Sequence, residues 1–335
     1  MNIHVKKEFL KKIIPLKIQA LYKLYVTIKA YWYDIKRNVR VTLSDKYAVQ
    51  RLKRDLSILY HRVEKGLTMP ETKKGFGQKL IKELIEAINN YERKQYSTQS
   101  VEFVQAVSVI KEYIDYHEQM NFVFDSELTV KLGKIKQRYK HINGVKQIET
   151  TNTEYFKNSD KSFDEFTLSR HSVRNYISKE IPSLKLSECV TLAQSAPSFC
   201  NRQPSRVHIV KTDEKKRAVL NIQGGNRGFG HLADTLLVVT SVISTTLGPY
   251  DRYANHLNSG MFCMNLLNAL HLKKIGTCSL NWSVSKEEDI KLRKVLNIED
   301  NEIVIMIITC GYLPERFKLA ASPRLNAEDI IYWHI

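Results

Sequence analysis

The chain has 335 residues and a formal net charge of +17, a length that suits two domains or one domain with a large extension. The charge is uneven: residues 1–62 hold 15 Lys/Arg against Glu8, Asp34, Asp45 and Asp55, and so carry +11 of the total, which points to an acidic partner surface. Cys189, Cys200, Cys263, Cys278 and Cys310 are odd in number with no CxxC pair, no apolar run is long enough for a membrane span, and no signal-peptide core opens the chain; a disulfide framework, a zinc site and a membrane-spanning protein are therefore not indicated, and a reducing, cytoplasmic compartment is expected.

In chain order, residues 9–33 mix apolar side chains with a lysine every few positions. Ile13, Ile14, Ile18, Leu21, Leu24 and Tyr25 suit one face of a helix, and Pro15 is placed to open it. The simpler reading packs this helix on its own protein with the lysines in water. The sharper reading lays it on an anionic membrane, with Trp32 and Tyr33 at the interface. No nucleic-acid-binding module accompanies the charge, so no nucleic-acid partner is expected.

Residues 55–67 contain His61-Arg62-Val63-Glu64-Lys65-Gly66-Leu67, followed by a loop with Pro70, Gly75 and Gly77. His61 with Glu64 has the look of a metal or acid–base pair, but no second histidine stands at helical spacing, and a helix-surface pair explains it as well. Two helices follow, one with the stripe Leu80, Ile81, Leu84, Ile85, Ile88 and Tyr91, the other with Phe103, Val107, Ile110 and Ile114. A helix over 126–139 and a polar connector complete an all-helical extension over residues 1–160.

From residue 161 the texture changes. Residues 184–194 and 286–296 read as helices, and 206–210, 236–243, 275–280 and 303–309 as strands, with 236–243 and 303–309 buried. Residues 257–272 form a helix that is apolar almost all round, which belongs in a core or a subunit interface. The alternation predicts an α/β (α+β) domain over residues 161–335, a sheet covered by helices.

Four stretches in this half carry chemistry. Arg170-His171-Ser172-Val173-Arg174 gathers two guanidinium forks, an imidazole and a hydroxyl, a donor set suited to a phosphate. The others are 195–204 (SAPSFCNRQP), 276–282 (GTCSLNW), and 311–314 (GYLP) with 321–324 (ASPR). In this order and spacing the set resembles the nitroreductase family of FMN-dependent oxidoreductases, over roughly residues 163–335. The HRxEKGL…GFG pattern at 61–77 resembles the helical extension of some nitroreductase-like proteins associated with surface-polysaccharide genes.

The resemblance implies a mixed sheet, an intertwined homodimer, bound FMN, and NAD(P)H as electron donor. Arg170, His171 and Ser172 match the positions that bind the ribityl phosphate, and Arg174 the one that approaches the pyrimidine edge of the ring. Arg324 matches a second phosphate-binding arginine, where the lysine common two residues earlier is here Ser322. Pro197, Ser198 and Asn201 match a loop that reaches the flavin across the dimer, with Phe199 in place of a small polar residue. Ser279, Leu280 and Asn281 match the strand end beside N5, and Asn226 a contact at the ring edge. No catalytic side chain and no metal are implied, because the chemistry belongs to the flavin. The expected activity is ping-pong transfer of electrons from NAD(P)H to a small-molecule acceptor such as a quinone or nitroaromatic. The rival reading is a flavin-binding accessory protein of a membrane-associated biosynthetic complex, docked through residues 1–60.

Overall fold

The computed structural model describes residues 15–335. Ile13, Ile14 and the basic residues before Pro15 lie outside the described residues. Helix α1 (Leu16–Leu43) begins directly after Pro15, as expected, and runs ten residues past Tyr33. Its packing on the rest of the chain is slight, since none of its side chains is buried. It touches the body through Asp34, which is ion-paired with Arg252, with Asp34 Oδ1 3.1 Å from one guanidinium nitrogen. That contact holds the Asp34 carboxyl down at about 2. The half-buried side chains of α1 are small or polar on average (Gln19, Val26, Thr27, Ala30, Asp34). Leu21, Leu24, Tyr25, Ile28, Trp32, Ile35 and Val39, at helical spacing, are all at least half exposed.

The remaining extension is a four-helix unit: α2 (Ala48–Leu67), α3 (Gln78–Arg93), α4 (Val101–Gln119) and α5 (Ser126–Arg138). Each predicted stripe faces one core, which includes Leu56, Ile81, Leu84, Ile88, Phe103, Ile110 and Leu128. The 61–77 motif is explained by packing. Glu64 is fully buried; its carboxylate accepts from Gln105 Nε2 at 2.9 Å and lies 3.3 Å from His61 Nδ1. Gly66 lies under the Phe76 ring, which is itself wedged among Tyr113, Tyr116 and His117. Gly75 takes a φ of 69°, and its N–H donates to His117 Nε2 at 3.0 Å. These contacts pin the loop after α2 onto α4.

The second half contains β1 (Ile148–Thr151), α6 (Asn152–Phe156), α7 (Phe163–Ser169), α8 (Ser183–Ala193), β2 (Ser205–Val210), α9 (Asp213–Gln223), β3 (Thr235–Val242), α10 (Ala254–Leu272), β4 (Gly276–Asn281), α11 (Lys286–Leu296), β5 (Glu302–Gly311) and β6 (Arg316–Leu319). The main sheet has the order β2-β3-β5-β4, with the two apolar strands at its centre, and β1 pairs with β6. Helices α9 and α11 cover one face, α8 and α10 the other. Every described pairing is antiparallel, so the parallel pairs of a mixed sheet are not among the described residues. Helices α9 and α11 join neighbouring strands that run in opposite senses, whereas α10 crosses over β5 to join β3 and β4, which run in the same sense.

The packing boundary also falls earlier than residue 160. Ile142 still packs on the helical core, whereas β1 pairs with β6, and Tyr155 and Phe156 lie in the core of the second half. Strand pairing between residues so distant in sequence leaves no local pattern to mark it.

Gly66 gives a sharp test of the motif's packing. A Cβ there would stand 2.1 Å from Phe76 Cε2, in a site where the ring cannot retreat. Gly66→Ala should lower stability by about 1–3 kcal/mol, the usual size of an overpacking penalty, in a denaturant titration. An unchanged midpoint would show that the ring moves away freely.

Candidate functional site

The segment after α7 runs along β4, with the Val173 N–H donating to Thr277 O at 2.8 Å. Val173 and Tyr176 enter the core, and the Tyr176 hydroxyl lies 2.8 Å from Val173 O and 2.9 Å from Thr309 Oγ1. Tyr155 holds the other end: its hydroxyl donates to His171 O at 2.8 Å and accepts the His171 N–H at 3.2 Å. The His171 ring is spent on the backbone, with Nδ1 3.1 Å from Ser169 O.

Arg174 is the unusual residue. It is only 7% exposed, and its Nε is buried without a hydrogen-bond partner. Its guanidinium lies 6.0 Å from the centroid of the fully buried Phe229 ring. Among the described residues no carboxylate pairs with Arg174 or with Arg170. The buried Cys278 thiol lies among these cations, hydrogen-bonded to Ser172; burial pushes it up, and Arg174, Lys65, Ser172 and Arg170 draw it back down. A cationic cluster with an orphaned buried donor and no acid fits an anionic ligand.

The rim is formed by the end of β4 and the turn after α9. Leu280 is buried and Asn281 exposed. Gln223, unremarked in the sequence, donates from Nε2 to Asn281 O at 3.2 Å and accepts the Gly225 N–H at 2.8 Å, tying the turn to the strand. Asn226 donates inward, to Leu220 O at 2.6 Å, so its amide shapes the turn and is not offered to a ligand. Arg324 lies on the exposed C-terminal segment, and its charge is felt by Tyr60 of α2.

Pro197, Ser198 and Asn201 stand apart from this cluster. Pro197 and Ser198 line a cavity of about 560 Å³ with Gln194, Gln203, Asn258 and Phe262. The Phe199 N–H donates to Asn258 Oδ1 at 3.0 Å, and Ser198 Oγ accepts the Gln203 N–H at 3.0 Å. Cys200, Asn201 and Gln203 have φ of 52°, 53° and 45°, an accumulation of left-handed backbone that costs energy and is typical of ligand loops. No described hydrogen bond or cavity joins this loop to Arg170 or Arg174 within one chain.

With this geometry in place, comparison with known proteins locates the fold. Residues 167–226 and 221–312 match the model of the Nitroreductase family. A protein of Archaeoglobus fulgidus named "Putative NADH dehydrogenase/NAD(P)H nitroreductase" is 26% identical over 165 residues, 48% of this chain and 91% of that protein. Solved structures with a similar chain include a nitroreductase family protein from Streptococcus pneumoniae (21% identity, 52% of this chain and 100% of that one, TM-score 0.45) and an FMN-dependent nitroreductase from Clostridium difficile (21%, 50% and 94%, TM-score 0.41). The segment 167–312 of the C-terminal half is thus similar to the nitroreductase family. The helices before it lie outside the matched segments.

His271 borders the cluster and titrates abnormally. It is 1% exposed, is ringed by Tyr155, Phe156 and Phe166, and shares a 2.9 Å hydrogen bond with Ser169 Oγ, while its Nδ1 has no partner. Burial, then the nearby Arg170 and His171, push its pKa down to about 4. The unfolded chain takes up the proton near pH 6.5, so this contribution is intact above that pH and is lost as pH falls towards 4. The loss should be on the order of 3 kcal/mol. His271→Gln should flatten the stability profile between pH 6.5 and 4 in urea titrations. An identical pH slope in the two proteins would contradict a buried neutral imidazole.

Proposed function

We propose that this protein is an FMN-dependent oxidoreductase that carries electrons from NAD(P)H to a small-molecule acceptor. The observation that carries the reading is the buried, unpaired guanidinium of Arg174 within a cluster of cations, in a nitroreductase-family half whose curated relative is named for NAD(P)H nitroreductase. Bound FMN would supply the redox chemistry between donor and acceptor. The chain's task is to hold and orient it.

In this reading Arg170, Ser172 and Arg324 hold the phosphate. Arg174 faces the ring edge where negative charge accumulates on reduction, a fixed charge needing no rearrangement. Residues 279–281 border the ring. A ping-pong order follows from one pocket serving donor and acceptor in turn.

The protein acts as a homodimer in this reading. Two features support it. The loop of Pro197, Ser198 and Asn201 is separate from the arginine cluster of its own chain, so a second copy would bring the two together. Also, α10, although its Phe262, Leu266 and Leu270 are buried within the chain, leaves Tyr253, Leu257, Met264 and Leu272 exposed at helical spacing. The purified protein should sediment as a dimer at micromolar concentration, be yellow with FMN, and bleach on anaerobic addition of NADH or NADPH. Arg324→Ala should weaken FMN by about 2–3 kcal/mol, the scale of a lost charge-assisted hydrogen bond. A colourless protein that cannot be reconstituted with FMN would end the reading.

The second reading, a flavoprotein docked at a membrane-associated complex, is favoured by α1. No described helix is long and apolar enough to cross a membrane. The exposed stripe of α1 is instead flanked by Lys29, Lys36 and Arg40, the composition of a helix lying at an anionic surface. Each cation near such a surface contributes about 1 kcal/mol, an attraction that fades as salt shortens the Debye length. The protein should cosediment with anionic vesicles at low salt, and Ile28→Asn with Trp32→Ala should release it. Equal cosedimentation of the two proteins would leave α1 a solvated helix.

A further inference from the structure

Lysines normally swing into water, but Lys65 is held. It is half-buried, in the last turn of α2. Its neighbours in sequence are fixed: Glu64 by Gln105, and Gly66 by the Phe76 ring. The next residues dock on the other half of the chain. Met69 packs against the core of that half, with its Sδ 3.1 Å from where a Cβ on Gly228 would stand, one residue before the Phe229 ring that Arg174 faces. At this corner Lys65 comes within electrostatic reach of Arg174 and Cys278.

Apart from Glu64, whose carboxylate is engaged by Gln105, the charged groups that act on Lys65 are the cations Arg174 and Arg62. Its ammonium makes no ion pair among the described residues. Burial, with Arg174 and Arg62 beside it, lowers its pKa below the usual lysine value, and only the Cys278 thiol opposes this. Two cations confined in a seam repel each other, and Arg174 also has a buried donor to satisfy. An anionic group between them relieves both. A purely structural lysine would be expected to have a carboxylate or carbonyl partner, as Lys111 has in Lys140 O and Ile142 O within the same helical unit.

We propose that Lys65 of the helical extension and Arg174 of the C-terminal half together hold one anionic or acceptor-rich group of the cofactor, so that the extension is a working part of the binding site. The identity of the cofactor rests on the FMN reading above. The oxygens of its pyrimidine edge, which Arg174 faces in that reading, are the group with the required chemistry.

The test compares the full-length protein with Lys65→Ala, Lys65→Arg and Lys79→Ala, the last removing an exposed lysine of α3. FMN and riboflavin are titrated by quenching of flavin fluorescence, and thermal stability is measured without ligand. Lys65→Ala should weaken FMN about 10- to 100-fold, the loss of one charge-assisted contact. Lys65→Arg should stay within about threefold of wild type and Lys79→Ala should match it. Ligand-free Lys65→Ala should be at least as stable as wild type, because a repulsion is removed. An equal loss with riboflavin is expected, because the ring edge is common to both flavins; a loss confined to FMN would place Lys65 at the phosphate, away from Arg174, and overturn the shared site. Unchanged FMN affinity in Lys65→Ala overturns the proposal and leaves the FMN reading standing. A wild type that binds neither flavin overturns that reading instead; stabilisation of wild type by inorganic phosphate, absent in Lys65→Ala, would then keep the shared anion site, and no such difference would end it.

Discussion

A guanidinium buried without a carboxylate is the constraint around which this protein is arranged. Arg174 sits on a strand-like segment locked to β4 and to the phenol of Tyr155, so it cannot leave for water. Its neighbours are Arg170, Lys65 and a thiol that burial keeps protonated. Desolvating such a group is expensive unless an opposite charge or several acceptors complete its surroundings. The architecture therefore makes sense as the protein half of a complex, with the missing negative charge arriving on a ligand.

The helical extension is joined to this site more closely than its separate core suggests. The pattern around His61, Glu64, Gly66 and Gly75 resolves into mechanical roles: a buried carboxylate clasped by an amide, a glycine that admits an aromatic ring, and a left-handed turn capped by His117. Together they set the direction of the corner at Met69, and that corner meets the turn at Gly228 and Phe229. The chain then leaves the helical unit after Ile142 and enters the second half through the pairing of β1 with β6. At the Met69 corner the extension therefore borders the half that carries the arginine cluster.

Two surfaces are left uncovered within one chain. The stripe along α10 and the strained loop at Cys200–Gln203 lie on the half that contains the segments matching the nitroreductase family, and the proposed second copy would cover both. The stripe of α1 is different in kind. Its apolar residues are bordered by cations, which a like-charged copy of the same helix would not complement, and its ion pair to the body is made by Asp34. The two faces thus call for partners of different chemistry.

Much of this was legible in the sequence. Periodicity located α3, α4, α10 and the central strands, because an apolar face repeats at the pitch of the element that buries it. The order of the arginine, proline–serine, strand-end and C-terminal motifs pointed to the family before any coordinate. What the sequence could not determine was which faces meet. The β1–β6 pairing, the boundary before Ile148, the role of Gln223 and the nearness of Lys65 to Arg174 all join residues far apart in the chain. Nor could it tell that α1 leaves its apolar stripe bare, since a stripe looks the same whether it is covered or not. Local pattern records that a side chain needs a neighbour; only the tertiary structure decides which one it finds, because that choice is made by the packing of whole elements against each other.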